Sequence, residues 1–166
     1  ARNLPVMDSA SKLADAYVEV GFGRAAVRRT AVVRKSLNPA FDAEFRFEIA
    51  DSADLLTEPL VFNVMDHDYI TANDAIGCVV VSLAHLLSPA ASVRVGGGGG
   101  GGVLVPNAAG AGTTATTLLE GGDGGGEGRT RTLAGWFPIY DTLEGLRGEL
   151  CVSLRLTSYD GSGGSG

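Results

Sequence analysis

Short apolar runs, several alternating with polar residues, recur along most of the chain and are separated by turn signals. The clearest is Phe41–Ile49, in which aromatic and aliphatic side chains share one face and charged side chains the other. The other strand-like runs are Tyr17–Phe22, Val27–Arg34, Leu60–Met65, Ile76–Leu83, Trp136–Tyr140 and Glu149–Leu156. Helical signals are weak and confined to Ser52–Leu56 and Leu83–Leu87. Short strands at this spacing predict an all-β sandwich.

A glycine-rich stretch interrupts this pattern between residues 96 and 134. It holds most of the chain's 25 glycines, together with alanine and threonine repeats and few large apolar residues. Such a composition buries too little apolar surface to offset the entropy cost of ordering the backbone. We therefore predict one domain over residues 1–158. Residues 96–134 are expected to form a disordered low-complexity loop insertion, and residues 159–166 a flexible linker or tail.

The bulk composition excludes several classes of protein. The net charge of −6 argues against nucleic-acid binding. No apolar run approaches the roughly 18–20 residues that a membrane span needs. The two cysteines, Cys78 and Cys151, lie far apart in apolar runs, so we predict that both are reduced core residues, as in a cytosolic protein.

Five aspartates lie in two short clusters beside strand-like runs. Asp8 and Asp15 bracket one loop, and Asp66, Asp68 and Asp74 lie in another. Two unit charges about 4.5 Å apart repel by roughly 3–4 kcal/mol at an effective dielectric of about 20. A fold tolerates such repulsion when the carboxylates ionise unequally or when a cation joins them. The clusters therefore predict a hard-metal site. Calcium fits better than magnesium, which demands a tighter octahedral shell.

The segments around these aspartates carry a family resemblance when they are taken together. They are Ala1–Asp8, Asp15–Val18, Ser36–Phe41, Asp66–Asp68 and Asp74–Gly77. In combination they resemble a C2 domain, the calcium- and phospholipid-binding module. The resemblance covers the chain except for the glycine insertion and the tail. It implies an eight-stranded antiparallel β-sandwich with type II topology, in which the first residues form the end of the first strand.

The resemblance also implies a ligand set for two or three Ca²⁺ ions at the loop end of the sandwich. The implied ligands are the side chains of Asp8, Asp15, Asp66, Asp68 and Asp74 and the backbone carbonyls of Met7 and His67. The side chain of His67 is expected to be a solvated loop residue rather than a transition-metal ligand.

Two further groups of residues are predicted to bind membranes. Tyr69 and Ile70, at a loop tip, are expected to dip into the headgroup region, unless they pack back on the sandwich. The second group is a predicted basic strand with the residues Arg28, Arg29, Arg34 and Lys35. Near an anionic surface each of these contributes about 1 kcal/mol, although they could equally form a solvated strand face.

The function predicted from these residues is calcium-dependent binding of anionic phospholipid membranes. The lipids expected are phosphatidylserine and phosphoinositides, and protein partners stay open. Such a module would be non-enzymatic and cytoplasmic, and would bring a larger protein to the membrane surface when calcium rises, in vesicle traffic or signalling. The alternative is a calcium-independent domain that binds a protein or a phosphoinositide through the basic strand. An aspartate-nucleophile phosphatase is disfavoured because the chain has only two lysines and no helical crossovers are predicted.

Overall fold

The computed structural model describes residues 1–69, 72–87, 102–103, 116–121 and 128–159, in which the chain forms eight strands and two short helices. The strands are β1 (Ala16–Phe22), β2 (Arg28–Arg29), β3 (Pro59–Asp66), β4 (Asp74–Ser82), β5 (Gly102–Val103), β6 (Thr116–Gly121), β7 (Gly128–Asp141) and β8 (Gly145–Tyr159). The helices are α1 (Asp54–Thr57) and α2 (Ala84–Leu87). Each strand pairing whose register is defined is antiparallel, so the all-β prediction is confirmed. No helix within the described residues is long and apolar enough to cross a membrane.

One compact unit contains residues 1–87 and 137–151. Within it β2, β1, β3 and β4 lie side by side in that order, and β4 pairs with β7 at Cys78 and Tyr140. Side chains alternate across a strand, and in β3 every second one is buried, from Leu60 to Asp66. The most buried apolar side chains of this unit include Val18, Val20, Phe62, Val64, Ile76, Val79 and Ile139.

The second unit contains residues 88–136 and 152–166. In its described part β5 pairs with β6, and β6 pairs with residues 130–134 of β7. Leu133 and Val152 are buried. These strands fall partly inside the predicted insertion at residues 96–134. The remainder of that stretch, and the predicted tail beyond residue 159, lie outside the described residues.

The first residues of the chain pair with β8. The backbone N–H of Arg2 donates to the carbonyl of Glu149 at 2.9 Å, and the N–H of Glu149 donates back to Arg2 at 3.0 Å. Gly148, with a φ of +106°, lets this close approach occur, because a Cβ there would lie 2.6 Å from the carbonyl oxygens of Arg2 and Asn3. The pairing places the N-terminal segment beside the last strand, as type II topology requires.

Two predicted strands differ from the structure. Within Val27–Arg34 the strand is limited to Arg28–Arg29, and Val33 adds an isolated antiparallel bridge to Ala16. Phe41–Ile49 is not a strand, yet its alternation is real: Phe45, Phe47 and Ile49 are half-buried and the residues between them are exposed. Alternation records which side of an extended segment faces the core, but does not supply a partner strand.

The cysteine prediction is only half right. Neither Cys78 nor Cys151 forms a disulfide within the described residues. Their placement in the core is wrong, because Cys151 is exposed and Cys78 is partly exposed. An apolar run therefore marks a strand without deciding which of its faces each residue occupies.

Candidate functional site

Asp66 is a buried carboxylate at the end of β3, only 5% exposed. The alternation that buries the apolar side chains of β3 also turns this final residue inward. Its Cα partners are Ala16 at the start of β1 and Asp74 at the start of β4. One of its oxygens, Oδ1, accepts a hydrogen bond from the backbone N–H of Asp15 at 2.6 Å. Asp66 therefore connects the segment before β1, which carries Asp15, with the start of β4 at Asp74.

The electrostatics of Asp66 show which other carboxylates surround it. Burial raises the pKa of Asp66 above its ordinary value, the hydrogen bond from Asp15 N–H lowers it, and the charges of Asp68, Asp15 and Asp74 raise it further. Three of the other predicted aspartates therefore lie near enough to Asp66 for their charges to act on it. We call Asp15, Asp66, Asp68 and Asp74 the carboxylate cluster.

Backbone hydrogen bonds fix Asp15 between the neighbouring loops. Its side-chain Oδ1 accepts from the N–H of Lys35 at 2.7 Å, and its carbonyl accepts from the N–H of His67 at 2.9 Å. Lys35 reaches this position with a φ of +53°, an uncommon conformation for a residue other than glycine. Asp15 therefore connects Lys35 and His67, which are distant in sequence, to the cluster.

A second set of hydrogen bonds holds the loop between β3 and β4. The N–H of Asp68 donates to Oδ1 of Asn73 at 3.0 Å, and Nδ2 of Asn73 donates to the hydroxyl of Tyr17 at 2.9 Å. Tyr17 is itself buried in β1. The tyrosine therefore anchors the loop that carries Asp68 and Asp74 to the core.

Asp8, the fifth predicted ligand, is exposed and stabilises its own turn. Its carboxylate accepts backbone hydrogen bonds from Ala10 at 2.8 Å and Ser11 at 3.3 Å. The hydrogen bond from Ala10, followed by that from the Ser11 side chain, lowers the pKa of Asp8. Met7, whose carbonyl is a predicted ligand, is half-buried, and its N–H donates to the carbonyl of Leu13 at 3.2 Å.

The donor set matches calcium in its chemistry. Carboxylate and carbonyl oxygens are the ligands that Ca²⁺ prefers, and the crowded charges of the carboxylate cluster favour a cation. The geometry is not that of a closed cage. Within the part of the chain that is described, no group of three or more His, Cys, Asp or Glu side chains is arranged to hold a metal ion.

Tyr69, at the predicted membrane-binding tip, is 64% exposed. The guanidinium carbon of Arg34 lies 5.1 Å from its ring centroid, and the imidazole of His67 meets it edge-on at 4.9 Å. This arrangement joins an aromatic ring to a cation beside the carboxylate cluster. The neighbouring prediction, Ile70, lies outside the described residues.

Two of the other predicted basic residues form β2. Arg28 and Arg29 are both exposed, and the guanidinium of Arg28 lies 5.5 Å from the ring centroid of Phe47. A cavity of about 180 Å³ opens beside this strand, and it is lined by Tyr17, Arg29, Thr30, Val32 and His67. The buried Nδ1 of His67 has no hydrogen-bond partner among the described residues.

Sequence reasoning missed three residues that organise this end of the unit. Asn73 and Tyr17 form the loop anchor, and Nη2 of Arg147 donates to Sδ of Met7 at 3.6 Å. An asparagine directly before Asp74 is a weak local signal for a loop-stabilising amide. Nothing local points to Arg147, since it is 140 residues from the methionine it contacts.

Comparisons with known proteins agree with this geometry. A family model of the C2 domain matches residues 1–94. C2 domain-containing protein 5 of Homo sapiens is 39% identical over 161 residues, which cover 96% of this chain and 12% of that protein. The protein of the same name in Xenopus tropicalis is 39% identical over 160 residues, again 96% of this chain and 12% of the relative. The chain therefore spans about an eighth of the length of these relatives.

A solved structure supports the fold independently. A C2 domain of plant Extended Synaptotagmin 1 superimposes with a TM-score of 0.57 at 22% identity, covering 96% of this chain and 88% of that one. The predicted C2-type β-sandwich is thereby confirmed. C2 domains are generally non-catalytic binding modules, and the family implies binding to lipid membranes. The evidence for the family is the family-model match, the 39% identity over 96% of the chain and the shared fold. This chain belongs to the C2 domain family.

Proposed function

We propose that this chain binds anionic phospholipid membranes in a calcium-dependent manner. The observation that carries the proposal is the position of Asp66, a carboxylate only 5% exposed that pairs with Asp74 across the strands and accepts a hydrogen bond from the N–H of Asp15. The negative charges of Asp68, Asp15 and Asp74 act on this buried carboxylate. Without a bound cation, the mutual repulsion of these carboxylates destabilises the folded protein. Together with family membership, the carboxylate cluster is best explained as a cation site.

Four carboxylates in one place support oxygen ligation of Ca²⁺, with Asp8 and the carbonyls of Met7 and His67 as additional donors from the flanking loops. Bound calcium would supply positive charge and open coordination positions for lipid phosphate or carboxylate oxygens. We propose two or three ions, in keeping with the number of donors.

The residues around the cluster have separate roles at the membrane. Tyr69 is exposed enough to enter the headgroup region, and Arg34 places a positive charge directly against its ring. Arg28, Arg29 and Lys35 add exposed positive charge on the adjacent segments. The aromatic ring contributes interfacial contact, and the cations attract anionic headgroups over a Debye length.

The wider role follows from the size of the relatives. Because the chain corresponds to 12% of their length, we propose that it targets a larger cytoplasmic protein to membranes when calcium rises, in vesicle traffic or signalling. Phosphatidylserine is the proposed primary lipid, and phosphoinositides and protein partners remain candidates.

A second candidate is calcium-independent binding of an anion, such as a phosphoinositide headgroup, through the basic strand. The cavity of about 180 Å³ beside Arg29 favours it, because an arginine, a tyrosine and a threonine line the same space. In this alternative the carboxylate cluster takes no part.

Liposome sedimentation separates the two candidates. The chain is mixed with phosphatidylcholine vesicles, with or without phosphatidylserine, in calcium or in chelator. We expect binding only with both calcium and phosphatidylserine, with loss in Asp68→Asn and a smaller weakening in Arg29→Gln. Binding that persists in chelator, survives Asp68→Asn and disappears in Arg29→Gln would establish the calcium-independent candidate instead.

A further inference from the structure

The turn between β7 and β8 carries a leucine that makes almost no contact with the rest of the protein. Leu143 is 94% exposed, the highest value among the large apolar side chains that are described as exposed. Tyr140 and Leu146, on either side of it, are 45% and 53% exposed. A single exposed leucine is ordinary, but three apolar side chains on one hairpin tip form a patch.

The turn is held in one conformation that keeps Leu143 pointing away from the core. Oδ1 of Asp141 accepts hydrogen bonds from the N–H groups of Leu143 and Glu144, each at 2.9 Å. This side-chain capping of the turn uses the short carboxylate of aspartate as an acceptor. Leu143 is therefore exposed because these hydrogen bonds hold the turn in this conformation.

One neighbouring arginine offsets part of the negative charge of the turn, which carries two acidic residues. Arg147 forms an ion pair with Glu144, and its charge lowers the pKa of Asp141 after the turn's two backbone hydrogen bonds. The side chain of Arg147 is only 17% exposed. The tip therefore carries a net charge of −1 rather than −2, so an anionic surface repels it less than it would repel two unpaired carboxylates.

Strand register places this tip at the same end of the unit as the carboxylate cluster. β4 begins at Asp74, and its residue Cys78 pairs with Tyr140 of β7. Since the two strands are antiparallel, β7 runs toward the start of β4, and its turn lies at that level. Arg147 joins the hairpin to the first loop through its hydrogen bond to Sδ of Met7. Val6, next to that methionine, is also exposed, at 46%.

We infer that the β7–β8 hairpin tip, with Leu143 at its apex, is an additional membrane-contact element. It enters the lipid bilayer alongside the loops that carry the carboxylate cluster. The occupant is a bilayer because the patch lies at the same end of the unit as the cluster and exposed Tyr69, and because Arg147 leaves the turn with only one net negative charge. The inference rests on the proposed function.

Depth-dependent quenching tests this contact directly. Leu143→Trp is bound in calcium to phosphatidylserine vesicles that contain brominated acyl chains, and the signal of Trp136 is subtracted using the parent protein. The matched control is Leu56→Trp. Leu56 is 62% exposed in α1, directly before β3, and so lies at the opposite end of that strand from Asp66.

We expect strong quenching at position 143 and none at position 56. In the companion pair, Leu143→Gln should weaken vesicle affinity about tenfold and Leu56→Gln should not, because one leucine's burial is worth roughly that factor. Both positions are exposed, so urea midpoints should match the parent.

The outcomes separate this inference from the proposed function. Parent protein that fails to sediment with vesicles in calcium would defeat the proposed function, and the hairpin contact with it. Parent protein that sediments normally, with equal quenching at positions 143 and 56, would overturn the hairpin contact alone. In that second case the apolar tip would face a protein partner or solvent.

Discussion

Replacing Asp66 by asparagine removes one charge from the carboxylate cluster while preserving its main hydrogen bond. The asparagine Oδ1 can still accept from the N–H of Asp15, which lies 2.6 Å from the aspartate oxygen in the parent protein. What disappears is repulsion from the neighbouring carboxylates and one calcium ligand. We therefore expect opposite effects: Asp66→Asn raises stability in chelator and abolishes the stabilisation that calcium gives.

The magnitude follows from Coulomb's law. Carboxylates about 6–8 Å apart repel by about 2–3 kcal/mol at an effective dielectric of about 20 and by about 0.5–0.7 kcal/mol in water. Asp66 is buried, whereas Asp74 is exposed and Asp15 and Asp68 are half-buried. The repulsion energy therefore lies between the value at a dielectric of about 20 and the value in water. We expect Asp66→Asn to raise the free energy of unfolding by about 1 kcal/mol in chelator, or Tm by about 2–4 °C.

The pH dependence checks the cause. Because the folded-state pKa of Asp66 is raised, its protonated form contributes stability that is complete below the unfolded pKa and is lost as pH rises through the folded pKa. The advantage of Asp66→Asn over the parent should therefore be largest at neutral pH and should vanish in acid.

Urea and thermal unfolding of both proteins, in chelator and in calcium, provide the assay. At a calcium concentration about 100 times Kd the parent should gain about 2.7 kcal/mol, and Asp66→Asn should gain almost nothing. Asp141→Asn is the matched control, since Asp141 lies outside the cluster and the hydrogen bonds of its turn lower its pKa. It should lose stability and keep the calcium response. A less stable Asp66→Asn protein in chelator, or one that calcium still stabilises fully, would refute the reasoning.

Other residues give further tests. Tyr17→Phe removes the hydroxyl that accepts from Asn73, so it should weaken calcium binding severalfold while costing only about 1 kcal/mol of stability; calorimetry that finds unchanged affinity would contradict the loop-anchor role. Gly148→Ala should lower stability by about 2–4 kcal/mol, since its Cβ would overlap two N-terminal carbonyl oxygens at 2.6 Å. Gly145→Ala, with a positive φ but open space, should cost only about 1 kcal/mol in the same urea titrations, and equal losses would argue against the close approach.

Several predicted runs coincide with strands of the structure, whether their apolar residues alternate with others or follow in succession. β1, β3 and β4 lie where the runs Tyr17–Phe22 and Leu60–Met65, and the run ending at Leu83, place them. Phe41–Ile49 failed as a strand although its alternating burial was correct. Periodicity reports burial, whereas a ladder depends on a partner distant in sequence.

The candidate site shows the same division between local and distant information. Asp66, Asp68 and Asp74 could be grouped from their spacing alone. The link from Asp15 to Asp66 spans 51 residues and is visible only in the fold. The same holds for the Asn73–Tyr17 bond, across 56 residues. A cation site shared by the two clusters was predicted from their charge, and the family resemblance supplied the ligand set.

A calcium titration by calorimetry, with and without phosphatidylserine vesicles, tests the central claim most directly. The account predicts saturable calcium binding that tightens in the presence of phosphatidylserine, is unaffected by phosphatidylcholine alone, and is lost in the Asp66→Asn, Asp68→Asn double variant. Absence of calcium binding by the folded parent protein, or binding that the double variant retains, would contradict it.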